Sequence, residues 1–310
     1  MLSHFVRVLN FDDSLLHQQQ LLKKYQPTVV DLKDIGPFCR LYLNDKNSDD
    51  IRSRLDSNFK NAVTFLGSGD FHHISGLLVE QFTQPITVII FDFHPDWDIL
   101  PPKLGYGSWI TYILNRPNVR KIILLGVSSK DISTFSLQTG NLKALDNDRV
   151  EIYPYTHRPT TTMFKKLPDE SLSVRMEQNI FYTKIYWRQL KDVSLTDFFK
   201  DLLTRIETKQ VYVSVDKDCL KSQYALTNWE EGFLDLKDVL LLLDLIKKDL
   251  DIVGLDIIGD YSPTKVAGII KSFLYHSDHP RQFPAKDKTF NEISAVNEET
   301  NLKILDLIRS

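Results

Sequence analysis

The amino-acid sequence predicts a single α/β domain, residues 1–310, with three α/β/α layers built around a doubly wound, mainly parallel sheet. Short aliphatic runs alternate with segments of helical period, which is the pattern of βαβ units. Several runs are apolar on consecutive residues, as in strands buried on both faces. The length is compatible with one large α/β domain, and no internal repeat or low-complexity tract divides it.

Strands are expected at Phe5–Phe11, Ala62–Gly67, Ile86–Asp92, Lys121–Val127, Val150–Tyr155, Val211–Asp216 and Asp251–Ile258. Between the last two pairs, Thr196–Lys209 places Phe198, Phe199, Leu202, Leu203 and Ile206 on one helical stripe, and Leu236–Leu250 reads as the most apolar helix. The polar, proline-containing stretch from His157 to Lys184 reads as a long loop over the sheet edge. A second polar stretch, Ser277 to Thr300, is expected to precede a short final helix ending at Ile308.

Bulk properties exclude several function classes. Hydrophobic residues are 42% and charged residues 25% of the chain, a folded rather than disordered balance. The formal net charge of −3 provides no basic field for nucleic acid or an acidic membrane surface. Cys39 and Cys219 are too few for a disulfide framework and read as buried thiols in a reducing compartment. The opening residues lack the apolar core of a signal peptide, and Asp244, Lys247 and Lys248 interrupt the apolar helix well short of the ~18 residues of a membrane span. A soluble cytoplasmic protein acting on a small molecule is expected, with a homo-oligomer left open.

The chemistry lies in three polar clusters, each directly after a strand. The first, GSGDFHHIS, carries Asp70, His72 and His73; the second, FDFHPDWD, carries Asp92, His94, Asp96 and Asp98; the third, VSVDKDCL, carries Asp216 and Asp218. In open parallel sheets, ligands bind outside the carboxyl ends of the strands, where loops converge. So many carboxylates gathered there need positive charge, and oxygen with imidazole donors suits divalent manganese, zinc or iron. Alternate residues of an extended segment share a direction, so Asp216 and Asp218 face one site; Asp92, His94 and Asp96 share the alternation until the chain turns near Pro95. Taken singly, each cluster has an ordinary explanation: Asp-x-Asp after a strand is most often a cap or turn, and adjacent histidines are commonly helix-start residues. The Asp-x-Asp comes too late, and continues with the wrong residue (Cys219), for haloacid-dehalogenase-like phosphatases. A Gly-Asn-His segment that would complete a metallophosphoesterase set is missing.

Together and in this order, the three segments resemble the ureohydrolase superfamily of arginases, agmatinases and formiminoglutamases. Its Gly-Gly-Asp-His-Ser is similar to GSGDFHHIS with Phe71 inserted, its Asp-x-His-x-Asp to Asp92–Asp96, and its Ser-x-Asp-x-Asp to Ser214–Asp218. The resemblance implies the arginase/deacetylase-like fold and two divalent ions, Mn2+ foremost with Zn2+ or Fe2+ as other occupants. It implies that Asp92 and Asp216 bridge the ions, that His72 (or its neighbour His73) and Asp96 complete one site, and that His94 and Asp218 complete the other. Two such ions, about 3.5–4 Å apart, lower the pKa of a bridging water from ~15.7 towards 7 and provide hydroxide for attack on an amidine, guanidino or amide carbon.

Two departures concern the substrate. LGYGSWITY has Ser108 and Trp109 but no histidine where arginases carry a proton shuttle, and DIIGDYSP has Gly259, then Asp260, where they carry a guanidinium-binding glutamate. The resemblance therefore implies a bacterial arginase-family group outside the true arginases, a hydrolase of C–N bonds other than peptide bonds. Asp96 and Asp218 are expected to accept the proton, with Ser108, His157 and Asp260 as candidates for the shuttle's place. Two alternatives stand beside this: a metal-binding, non-catalytic regulatory protein, and a zinc deacetylase-like enzyme, a group that lacks a His72-type ligand.

Overall fold

The computed structural model describes residues 5–55, 61–163, 170–263, 265–279 and 288–310. Eight strands form one sheet, all neighbours parallel: β1 (Val6–Asn10), β2 (Thr28–Asp31), β3 (Val63–Gly67), β4 (Ile86–Phe91), β5 (Val119–Gly126), β6 (Val150–Pro154), β11 (Gln210–Asp216) and β12 (Asp251–Ile258). Their order is β2-β1-β3-β12-β11-β4-β5-β6. The chain lays down β3 and β4 apart and fills the gap between them only at β11 and β12. All four strands therefore deliver their carboxyl ends to one crevice.

Alternation along the strands divides the interior into two apolar layers. From β4, Ile86, Val88 and Ile90 enter one core while Ile89 and Phe91 enter the other. The first core is covered by α2 (Gly36–Cys39), α3 (Asp45–Arg54), α4 (Ile74–Val79), α5 (Trp109–Leu114) and α6 (Leu142–Asp146). The second is covered by α1 (Gln19–Tyr25), α7 (Leu195–Leu203), α8 (Leu236–Asp249) and α10 (Phe290–Arg309). The expected three-layer α/β architecture is present. The helix α9 (Ile269–Asp278) lies beside the crevice, with Tyr275 packed near Trp229 and Leu41.

Three elements differ from the sequence reading. β2 is an edge strand with mostly exposed residues, so it lacks the apolar run that marks its partners. The stretch after His157 is not a loop: β7 (Thr160–Met163), β8 (Glu170–Ser171), β9 (Val174–Gln178) and β10 (Tyr182–Trp187) form a small antiparallel sheet, residues 164–169 being outside those described. One face of this sheet is exposed, so its residues alternate and carry many polar groups, as in β10 where Thr183, Ile185 and Trp187 are buried. The final helix is also long rather than short. Thr289 and Glu292 close a capping box, and α10 then runs 20 residues on a buried stripe that includes Ile293, Asn297, Ile304 and Ile308. Among the described residues, no helix is long and apolar enough to cross a membrane.

Ile304, fully buried where α10 packs over the second core, tests that layer. Ile304→Ala is expected to cost about 2–5 kcal/mol, read as a lower urea midpoint with an unchanged slope.

Candidate metal centre

At the carboxyl end of β3, a short 3-10 turn (Gly69–Phe71) lifts the chain off the sheet and α4 begins at Ile74. The turn separates the two histidines. His72 enters the crevice, its Nδ1 3.2 Å from Asp92 Oδ2, 3.2 Å from Asp96 Oδ2 and 3.5 Å from Asp216 Oδ2. His73 is buried outside this cluster, and burial, reinforced by nearby Lys271, lowers its pKa to about 3 and keeps it neutral. Asp70 also turns away: it pairs with Arg40 and with His279 Nε2, the latter at 2.7 Å. Although burial opposes it, those two partners hold the Asp70 carboxyl at about 2.

The end of β4 supplies Asp92, His94 and Asp96. His94 points its Nδ1 at Asp218 Oδ2, 2.9 Å away, and its Nε2 at Glu230 Oε2, 3.3 Å away. The chain turns at Asp96 itself, whose φ of 43° is left-handed, a conformation that aspartate tolerates better than most side chains. From β11 come Asp216 and Asp218, their carboxylates receiving the backbone N–H of Asp218 and of Phe93. Two groups of ligand atoms result, each within 4.8 Å: His72, Asp92 and Asp216, and Asp92, His94 and Asp218. Asp92 is common to both.

Further groups orient these donors. Ser214 gives its only hydroxyl proton to Asp256 Oδ1 at 2.5 Å, so its oxygen accepts from His72 Nε2–H at 3.0 Å. Asp256 is held in turn by the Tyr212 hydroxyl at 2.6 Å. This chain fixes the tautomer that leaves His72 Nδ1 turned toward the carboxylates. On the other side, Trp109 Nε1 donates to Asp96 Oδ2 at 2.8 Å.

The donor set fits divalent cations. Four buried carboxylates face two imidazoles, and no lysine or arginine is among the described residues lining the cavity. Asp92 Oδ2 is buried and faces His72 Nδ1 at 3.2 Å. Burial raises the Asp216 and Asp218 carboxyls and brings Asp96 to about 7; against burial, hydrogen bonds to Asp92 and Asp96 raise His72, and the Asp218 charge raises His94. Asp92 is held at about 2, burial notwithstanding, by His72 and His94. The cluster thus retains protons in positions where cations would release them.

A cavity of about 330 Å³ opens above the cluster, its wall including Asp98, Tyr106, Asp131, Trp229 and Glu230. Ser108, His157 and Asp260 do not line it. Ser108 bonds the backbone of Pro102 and Gly105 at the start of α5. His157 lines a separate depression with Thr134 and Arg158. Asp260 is buried with Lys217 Nζ at 2.8 Å and Gln18 Nε2 at 2.6 Å. Trp109, Asp256 and Glu230 escaped the sequence reading, although a charged residue inside the apolar run of β12 was a signal for Asp256.

The solved structures that share this fold include the formimidoylglutamase of Bacillus subtilis subsp. subtilis str. 168 (14% identity, TM-score 0.56, 98% of this chain and 86% of that one). An Entamoeba histolytica arginase in complex with L-ornithine matches with 11% identity and a TM-score of 0.57, over 99% and 97% of the two chains. A Trypanosoma cruzi formiminoglutamase with Mn2+ matches with 10% identity and a TM-score of 0.52, over 99% and 95%. The fold is that of the arginase-like ureohydrolases. In sequence, an uncharacterized protein of Thermotoga maritima is 24% identical over 263 residues, 85% of this chain and 82% of that protein. No family model matches. In this fold, the six candidate donors stand at the ends of β3, β4 and β11, and β12 between β3 and β11 contributes Gly259.

The buried Lys217–Asp260 pair beside the cluster yields a stability test. Lys217→Met leaves Asp260 uncompensated and is expected to cost about 3–5 kcal/mol by chemical denaturation; adding Asp260→Asn should recover part of the loss.

Proposed function

We propose that this chain is a metal-dependent hydrolase of C–N bonds in small amidine, guanidino or amide compounds, its metals held by His72, Asp92, His94, Asp96, Asp216 and Asp218. The observation that carries the reading is the double ligand group sharing Asp92 at the floor of an open cavity. Manganese is the foremost candidate, since oxygen and imidazole donors suit it and the Trypanosoma cruzi neighbour was solved with Mn2+. When bound, two divalent ions supply Lewis acidity toward water and substrate.

The remaining work falls to the protein. Asp256, through Ser214, holds His72 in one tautomer, and the Trp109 indole fixes Asp96. Phe93 N–H orients Asp218. Asp96 and Asp218 are the carboxylates placed to take up a proton as the C–N bond breaks, because Ser108, His157 and Asp260 are engaged elsewhere. The two ligand groups favour this reading over a one-ion deacetylase-like centre.

Elemental analysis of manganese-reconstituted protein is expected to find two ions per chain. His72→Ala should lose metal and the rise in melting temperature that manganese confers. His73→Ala should keep both and lose only stability. One ion in the parent protein, or metal loss confined to His73→Ala, contradicts the assignment.

Specificity follows from Gly259. Its φ is 87°, and a Cβ there would lie 2.5 Å from Asp216 Oδ1, so a side chain at that position would strain the backbone and displace Asp216. L-Arginine is expected to be a poor substrate at saturating manganese: losing a charge-assisted hydrogen bond costs about 1.5–3 kcal/mol, roughly ten- to a hundredfold in rate. A screen of guanidino, amidino and amide compounds should find better ones, and urea release from arginine at ordinary turnover would sink this reading.

A further inference from the structure

The helix α9 is 10 residues long, too short to persist without packing. Yet it offers little apolar surface to the protein. Ile269, Ile270 and Phe273 are exposed, and among its described residues only Lys271 and Tyr275 are buried. Lys271, Tyr275 and His279 follow one another at intervals of four, so they share one face.

That face touches the surroundings of the cavity at several points. His279 stacks on Tyr275 and Trp229, with ring centroids 3.7 Å and 4.2 Å away, and its Nε2 lies 2.7 Å from Asp70 Oδ1. Tyr275 packs in one apolar cluster with Leu41, Tyr106 and Trp229. Lys271 Nζ donates to the carbonyls of Phe38, Arg40 and Tyr42 at 2.5, 2.8 and 2.6 Å, and lies 3.9 Å from the centroid of the Tyr42 ring. An ammonium has three protons, and here each has an acceptor. Burial lowers Lys271 to about 8, so it keeps its charge at neutral pH. The neighbouring Cys39 thiol, raised by burial to about 12, and His73, lowered by burial to about 3, are neutral there. Backbone carbonyls and an aromatic face meet the charge instead.

The caged segment is itself strained. Leu41 is fully buried with a φ of 72°, a left-handed conformation unfavourable for leucine. Three carbonyls turned toward one point also need a donor between them. From this segment the Leu41 N–H donates to the Asp70 carbonyl at 2.9 Å, and the Leu41 carbonyl accepts from the Tyr106 N–H at 2.8 Å. Tyr106 and Trp229 both line the cavity.

We infer that Lys271 is a positioning residue for the cavity: its ammonium, a built-in cation in a cage of backbone carbonyls, latches α9 and the Phe38–Tyr42 segment where they set the Tyr106 and Trp229 walls. The floor stands on the strand ends and does not depend on this latch. The inference goes beyond the hydrolase reading and needs no particular reaction.

Hydrogen exchange of the full chain at neutral pH, read peptide by peptide by mass spectrometry, tests it. In Lys271→Ala, peptides covering α9 and Leu41–Leu43 are expected to exchange about ten- to a hundredfold faster, as loss of a charged hydrogen bond implies, while β4 and β11 keep parent rates. Acrylamide quenching of Trp229, taken as the difference from Trp229→Phe, should rise in parallel. Propylammonium replaces the deleted atoms and should restore slow exchange; 1-propanol, lacking the charge, should not. Lys271→Gln keeps much of the length without the charge, should loosen the same peptides, and serves where the alanine variant does not fold. Parent-like exchange in α9, an equal rise in β4 and β11, or propylammonium acting no better than propanol would each overturn the inference. So would manganese loss confined to the variants. A parent protein that binds no manganese removes the hydrolase reading and leaves the latch standing.

Discussion

Four carboxylates buried at one edge of a parallel sheet are the constraint on which the rest of this structure depends. Isolated from water, such a group costs several kcal/mol per charge unless cations or protons meet it. The fold brings them together because β4 and β11 are neighbours and β3 lies one strand away, so three separate segments end at the same crevice. The surrounding groups keep the cluster from relaxing. His72 is held from behind by Ser214 and Asp256, Asp96 by Trp109, and Asp218 by a backbone N–H. A candidate metal site of this kind is therefore a property of the sheet edge and its supports, not of six residues alone.

A second ring of buried charge isolates the first. Asp70 shares the segment after β3 with His72, and Asp260 follows β12, yet each meets a cation of its own: Arg40 for Asp70, which also bonds His279, and Lys217 for Asp260. His279 follows α9, so the Asp70 pair also draws that helix against Trp229 and the cavity wall. Fold integrity and site geometry are coupled through these pairs, because loosening one would shift both the wall and the floor.

The parts of the molecule legible in the sequence were those set by a single strong signal. β3, β4, β11 and β12 announce themselves by continuous apolar runs, and the spacing of Asp92, His94 and Asp96 and of Asp216 and Asp218 follows from strand alternation. What escaped was weaker or non-local. β2 is an exposed edge, and the small sheet has only one buried face, so neither carries a continuous apolar run. The polar residues of α10 hid its stripe, because buried Asn297 and Asn301 serve as hydrogen-bond partners for Leu226 and Gln18 rather than as surface. Separation of His72 from His73 depended on a three-residue turn. Trp109 and Glu230 reach the site across 13 and 136 residues of chain, a closeness no local pattern encodes.

The distribution of side chains around the crevice also explains how one fold can keep its floor while changing what it accepts. The floor is built by residues at strand ends, where backbone direction is fixed by ladder pairing, and a change there disturbs several groups at once. The wall comes mainly from loops: Asp98 and Tyr106 after β4, Asp131 after β5, Trp229 and Glu230 after β11. Loops change with little effect on the core. At the end of β12 the left-handed Gly259 closes one route for a recognising carboxylate, since any side chain there meets Asp216. The loop after β11 sets Glu230 against the same floor, its Oε2 3.3 Å from His94 Nε2. Wall residues can therefore change while every candidate donor in the floor stays in place.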